Sequence, residues 1–314
     1  MSDSLPMPVT APLTSAQRTQ LFNLVRRAAK AEIMPRFRKL GTYQIGEKTG
    51  PQDLVTEADT SAEAMITRGL QRFFPSAVII GEEAASANPK LLEKIAEAEL
   101  CFTIDPVDGT WNFAKGLPLF GVMVSVLRFG IPVFGLLYDP VLNDIVWADS
   151  ENSAQLQLPM RDRRFVTTDH DQNKTLDQLN GFVPLYLIPE DKRDQAAAAL
   201  PRFGRVWSLR CACHEFRTLA QGEVDFVLFA KLTAWDQPAG VIVTQQAGGH
   251  VAMMDGSDYR GDTNTGFLLA ASDKHTWDIV AEAFDFLVDT PAPEPTPAPE
   301  KNAFPGEMAV DSDA

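Results

Sequence analysis

The spacing of apolar residues changes from stretch to stretch along this chain, and each spacing predicts an element. Between Thr14 and Leu40, Leu21, Phe22, Leu24, Val25, Ala28, Ala29, Ile33 and Phe37 recur at helical intervals. Thr14 or Ser15 is placed to cap that helix, and Pro35 to kink or end it. Residues 41–52, with three glycines and Lys48, show no such pattern and read as a loop. A helix is expected from Thr60 to Phe74, closed by Pro75. Unbroken apolar runs at 77–80 and 100–104 predict buried strands, separated by a short helix over 88–99. Runs at 119–127 and 132–138 predict an antiparallel hairpin, continued by strands at 145–148 and 154–158. After the polar stretch 160–179, strands at 180–187, 205–209, 224–230, 250–254 and 267–271 alternate with helices at 190–200, 213–221, 235–248 and 274–287. An α+β half followed by an α/β half predicts helices layered on sheets. The boundaries drawn are 14–165 and 166–290, between a mobile stretch at 1–13 and a disordered, Pro-rich acidic tail at 291–314.

Composition narrows what such a molecule can do. The 314 residues are 45% hydrophobic and 22% charged, enough for one large or two medium domains. A formal net charge of −14 argues against nucleic acid as a partner and demands nearby cations if the substrate is an anion. Three cysteines, Cys101, Cys211 and Cys213, cannot make a disulfide framework and fit a reducing compartment. Cys211-Ala212-Cys213 reads as packing, the alternative being a metal pair with His214. No run reaches the roughly 18 apolar residues that cross a bilayer, and the first residues lack a signal-peptide pattern. A cytoplasmic chain with no membrane partner is the expectation.

The candidate chemistry gathers at element ends. Asp105 and Asp108 stand at the mouth of the strand over 100–104, followed by Gly109 and Thr110, whose backbone N–H groups can face a ligand. Two carboxylates so close repel each other unless a cation lies between them, and a hard ion such as Mg²⁺ prefers oxygen ligands. Alone, the stretch reads equally as an Asp-Pro turn. Glu82 follows the strand at 77–80, Asp59 follows Asp53-Leu54-Val55-Thr56, and Asp236 opens a helix that it could simply cap. Five carboxylates in such places point together to a multi-metal site for phosphate chemistry.

Four ordered blocks carry a resemblance: Asp53-Leu54-Val55-Thr56-Glu57-Ala58-Asp59, Gly81-Glu82-Glu83, Asp105-Pro106-Val107-Asp108-Gly109-Thr110-Trp111-Asn112-Phe113 and Trp235-Asp236-Gln237-Pro238-Ala239-Gly240. In order and spacing the chain resembles the inositol monophosphatase family over roughly residues 15–288. The resemblance implies an αβαβα sandwich (α+β / α/β), a homodimer, sensitivity to Li⁺ and Mg²⁺-dependent hydrolysis of a small phosphorylated alcohol. It implies that Glu82, Asp105 and the Val107 carbonyl hold one metal ion, with Asp105, Asp108 and Asp236 holding a second. Glu82 would also support a third, weaker ion. Asp59 and Thr110 match the positions that orient and deprotonate the attacking water, and the Gly109 and Thr110 N–H groups those that meet phosphate. Lys48 matches the family's loop lysine.

Departures concern the alcohol. Arg210-Cys211-Ala212-Cys213 replaces a Gly-Ser/Thr-Ala-Ala segment, and Phe229 stands where many members carry an inositol-binding glutamate. Arg210 and Phe229 are therefore expected among the substrate contacts, with histidinol phosphate and fructose 1,6-bisphosphate as rival substrates to inositol phosphate. Asp-Pro-Val-Asp-Gly-Thr also resembles the Asp-x-Asp-Gly-Thr of haloacid-dehalogenase phosphatases, but the extra residue breaks the period-two register of a strand. A regulatory protein that kept the fold is the non-enzymatic reading, and the complete set of carboxylates argues against it. His170 and His214 have no pattern partner; His250 and His275 read as structural.

Overall fold

The computed structural model describes residues 13–41, 45–159, 163–168 and 173–288. The expectations for residues 1–12, His170 and the 291–314 tail lie outside them.

The first helix, α1 (Ser15–Ala28), opens with a capping box: the Thr14 hydroxyl accepts the Gln17 N–H, and the Gln17 side chain accepts the Thr14 N–H at 2.8 Å. It widens into a π-helical turn, Ala29–Ile33, and gives way to turns around Pro35. The stretch read as a loop carries the first strand of a hairpin, β1 (Ile45–Gly50), which pairs with β2 (Asp53–Thr56) just beyond it. Glycines in place of alternating apolar residues hid it. Next come α2 (Glu57–Phe73), β3 (Val78–Gly81) and the short α3 (Glu82–Ala87). The helix expected at 88–99 is a 3-10 helix over Pro89–Lys94, followed by turns.

β4 (Cys101–Asp108), α4 (Thr110–Ala114), β5 (Gly121–Arg128), β6 (Ile131–Asp139), β7 (Asp144–Asp149), β8 (Asn152–Gln157) and β9 (Arg163–Phe165) follow. Strands β3 to β9 lie in sequence order in one seven-stranded sheet, parallel at β3–β4 and antiparallel elsewhere. The second sheet has five strands in the order β11 (Arg205–Trp207), β10 (Asn180–Phe182), β12 (Phe226–Phe229), β14 (Leu268–Ala271) and β13 (His250–Met253). Its helices are α5 (Glu190–Ala199), α6 (Ala212–Ala220), α7 (Pro238–Gln246) and α8 (Lys274–Ala283).

Strand periodicity turns these elements into layers. Val122, Val124 and Val126 of β5 face a core with Leu21 of α1 and Ile66 of α2, whereas Met123 faces Phe216 of α6 and Val243 of α7. On β12, Val227 and Phe229 join that second core, and Phe226 and Leu228 join a third with Val280 and Phe284. The result is the expected α-β-α-β-α sandwich, with α6 and α7 held between the sheets. α7 lies close to β6 because Gly135 has no side chain; a Cβ there would stand 2.2 Å from the Ala239 carbonyl. That approach fixes the end of α7 next to Asp236.

Candidate active site

The strand β4 does not stop at Ile104. It runs through Asp105-Pro106-Val107 to Asp108, pairing Asp105 with Met123 and Asp108 with Gly121. Three steps on β4 oppose two on β5, so the strand carries one extra residue, a β-bulge. The bulge tolerates Pro106, which has no N–H to give the ladder. It also returns Asp105 and Asp108 to one side despite their odd spacing, so strand register does not separate them. The Val107 N–H donates to Asp105 Oδ1 at 3.0 Å. Gly109 then takes the left-handed region at φ 84°, and a Cβ there would meet the Leu119 carbonyl at 2.9 Å. The chain turns into α4, and the Thr110 hydroxyl lies 2.9 Å from the Val107 carbonyl and 3.1 Å from Asp59 Oδ1.

Asp59 reaches that hydroxyl from α2, which begins at Glu57 rather than Thr60. Thr56 is the N-cap and Asp59 the third helical residue of a capping box. Asp59 Oδ2 accepts the Thr56 N–H at 2.8 Å and its hydroxyl at 2.5 Å. Burial pushes the Asp59 carboxyl up to about 7, against those bonds.

Glu82 and Glu83 open α3 at the end of β3. Lys48, on the hairpin, places its Nζ 2.6 Å from Glu82 Oε1 and 2.7 Å from Glu83 Oε1. Burial alone would lower the Lys48 ammonium; the two carboxylates outweigh it and raise it, so it stays charged. Asp108 Oδ2 accepts the Cys213 N–H at 2.5 Å and lies 3.0 Å from Cys211 Sγ. The two cysteines are thus free thiols packed over Asp108, and none of the three forms a disulfide. Asp236 is not a helix cap. Gln237 takes that position, with Pro238 first in α7, and the buried Asp236 Oδ1 has no hydrogen-bond partner.

Charge couples these groups. Asp105 is raised well above the usual carboxylate range by burial first, then by Glu82, Asp108, Asp236 and Asp59. Asp236 is raised by burial, then by Asp108 and Glu82. Five acids from four parts of the chain therefore lie close enough to feel one another's charge. Among the described residues no three side chains already stand as a closed metal-ligand set. Lys48, Thr56 and the cysteine loop each hold one of the acids. The donor chemistry nevertheless fits a hard divalent ion: the oxygens are carboxylates and a strand carbonyl, Lys48 offsets Glu82 but no cation is paired with Asp105 or Asp108 among the described residues, and Asp236 offers a buried oxygen without a partner.

Arg210 stands at the rim. It adopts φ 55°, unusual for a residue with a side chain. Its guanidinium stacks 4.1 Å above the Trp111 ring and donates to Gln52 Oε1 at 3.0 Å, tying the cysteine loop to the hairpin. Phe229 lies apart from this group: it is 6% exposed and stacks on Phe216 at 4.6 Å within the middle core. His214 turns to the Phe120 carbonyl at 3.1 Å, and His250 meets Trp277 edge-on.

Sequence reasoning missed two buried acids beside the site. Glu63 accepts the Glu83 and Ala84 N–H groups, and Glu215 accepts the Leu209 N–H at 2.8 Å. The first was findable, four residues after Asp59 on the same helix. Nothing in the pattern marks the second.

The model of the inositol monophosphatase family matches residues 15–288. An inositol-1-monophosphatase from Synechocystis sp. is 31% identical over 79% of this chain and 82% of its own length. A fructose-1,6-bisphosphatase/inositol-1-monophosphatase from Thermotoga maritima is 29% identical over 68% of this chain and 77% of its own. Nus factor SuhB of Escherichia coli is 27% identical over 86% and 97%. Among solved structures, an inositol monophosphatase from Thermotoga maritima shares the fold with a TM-score of 0.71 at 22% identity, covering 87% of this chain and 98% of that one. The chain belongs to the inositol monophosphatase family and is a phosphatase.

Proposed function

We propose that this phosphatase hydrolyses a small phosphorylated alcohol of the inositol phosphate kind with Mg²⁺. The observation that carries the reading is Asp105, held at a bulge and pressed by the charges of Glu82, Asp108, Asp236 and Asp59. Glu82, Asp105, Asp108, Asp236 and the Val107 carbonyl would hold the ions. Bound Mg²⁺ supplies a lowered water pKa and charge to offset the phosphate and the leaving alkoxide. The chain's own residues do the rest. Thr110 presents its hydroxyl to the attacking water, and Asp59, in contact with that hydroxyl, accepts the proton. The N–H groups of Gly109 and Thr110 meet the phosphate, and Trp111 walls the cleft. Lys48 pairs with Glu82, so its ammonium supplies positive charge beside a carboxylate that would hold an ion.

Arg210 supports a second substrate. Its guanidinium at the rim suits another anionic group, as in fructose 1,6-bisphosphate, and the bifunctional Thermotoga maritima relative is named for that activity. Assembly as a homodimer in the cytoplasm belongs to the same reading, supported by family membership and three free buried cysteines. No helix among the described residues is long and apolar enough to cross a membrane.

The test is a phosphate-release screen with Mg²⁺ over inositol 1-phosphate, histidinol phosphate and fructose 1,6-bisphosphate. Inositol 1-phosphate should give the highest kcat/KM. A profile dominated by histidinol phosphate would overturn the substrate assignment.

A further inference from the structure

Glu63 has no part in the chemistry above, yet its carboxylate is bound at both oxygens inside the site. It lies one turn beyond Asp59 on the same face of α2 and is 7% exposed. Oε2 accepts the Glu83 N–H at 2.7 Å, and Oε1 accepts the Ala84 N–H at 3.0 Å. These are the second and third residues of α3, whose first N–H groups have no partner within the helix. Gly81, the N-cap of α3, has no side chain to offer them. Its lack of a side chain also leaves room for the Glu63 carboxylate. A Cβ at Gly81 would stand 2.1 Å from the Glu63 carboxyl carbon. The glycine of Gly81-Glu82-Glu83 is therefore the seat of a carboxylate from another helix.

We infer that Glu63 is the positioning residue that sets Glu82 against Asp59, through the two backbone amides that follow Glu82. The inference rests on the reading that Glu82 holds a metal ion. A helix cap needed for stability alone has a simpler solution, because Ser, Thr, Asn or Asp at the N-cap serves without burying an acid. Here the cap is instead a buried carboxylate beside Glu82 and Glu83, where like charge is unfavourable. Lys48 does not provide the same restraint. It touches the Glu82 side chain, whereas Glu63 grips the backbone of the next two residues. One face of α2 thus carries both the acid proposed to take a proton and the acid that fixes a proposed ligand.

The experiment compares the full-length wild type with Glu63→Gln and Gly81→Ala. Each protein is stripped of metal and titrated with Mn²⁺, followed by electron paramagnetic resonance, and its thermal midpoint is measured. Glu63→Gln keeps the shape but only one acceptor oxygen, and should weaken Mn²⁺ binding by about tenfold or more while the fold survives. Gly81→Ala retains Glu63 but displaces its carboxylate, and should give the same loss, which keeps the test open if the first variant fails to fold. Wild-type Mn²⁺ affinity in folded variants, with only the thermal midpoint lowered, would reduce Glu63 to a stabilising cap. A wild type that takes up no Mn²⁺ would sink the metal reading itself, and this inference with it.

Discussion

At the scale of single residues, Arg210 combines a left-handed backbone with a place at the rim of the site. A side chain in the left-handed region costs about 1–2 kcal/mol, while stacking on an aromatic ring returns about 0.5–1 kcal/mol at an exposed site. The two nearly cancel, so Arg210→Gly should leave the thermal midpoint within a few degrees of wild type. Its effect belongs to the substrate. KM for fructose 1,6-bisphosphate should rise several-fold while KM for inositol 1-phosphate stays close to unchanged. Equal rises for both would mean that Arg210 only ties the hairpin to the cysteine loop through Gln52. Phe229 carries no such prediction, because its ring is spent on Phe216.

At the scale of elements, two helices sit where they do for reasons that can be tested. α7 rests on β6 at Gly135, and a methyl group there would run into the Ala239 backbone. Gly135→Ala should cost about 1–3 kcal/mol by overpacking, read from chemical denaturation; no loss would mean that α7 shifts freely. α6 is tied at its start by Glu215, whose buried carboxyl is pushed up to about 8 from 4.5. Between those values the folded chain keeps a proton that the unfolded chain has lost. Stability therefore falls as pH rises from about 4.5 to about 8. Glu215→Gln should flatten that slope in denaturation midpoints taken at about pH 5, 6.5 and 8. An unchanged slope would place the titration elsewhere.

The same elements explain what could be read without coordinates. Most strands and helices announced themselves, β5 by an unbroken apolar run buried on both faces and α1 by the helical spacing of Leu21 and Val25. The hairpin around Lys48 did not, because Gly46 and Gly50 leave no apolar alternation. The bulge in β4 was hidden because Pro106 reads as a stop, although a bulge accommodates it. Asp59 stood out as an acid, but its cap partnership with Thr56 moved the helix start by three residues. Glu63 and Glu215 were passed over because buried acids look, in sequence, like solvated ones.

At the scale of the whole molecule, a chain of net charge −14 brings five acids within reach of one another's charge, which has to be offset before an anion can approach. Lys48 offsets Glu82 and Glu83, and on the proposed reading Mg²⁺ would offset the remaining acids. Li⁺ at high millimolar concentration should therefore inhibit turnover, as the family relationship implies, and full activity there would count against shared metal chemistry. The central claim is that Asp105 organises a metal-dependent phosphatase site. The most direct measurement is phosphate release from inositol 1-phosphate by wild type and Asp105→Asn, each stripped of metal and then supplied with Mg²⁺. The wild type should be silent until Mg²⁺ is added, and the variant should stay silent while keeping the wild-type circular dichroism spectrum. Turnover without metal, or Mg²⁺-dependent turnover undiminished in Asp105→Asn, would contradict the account.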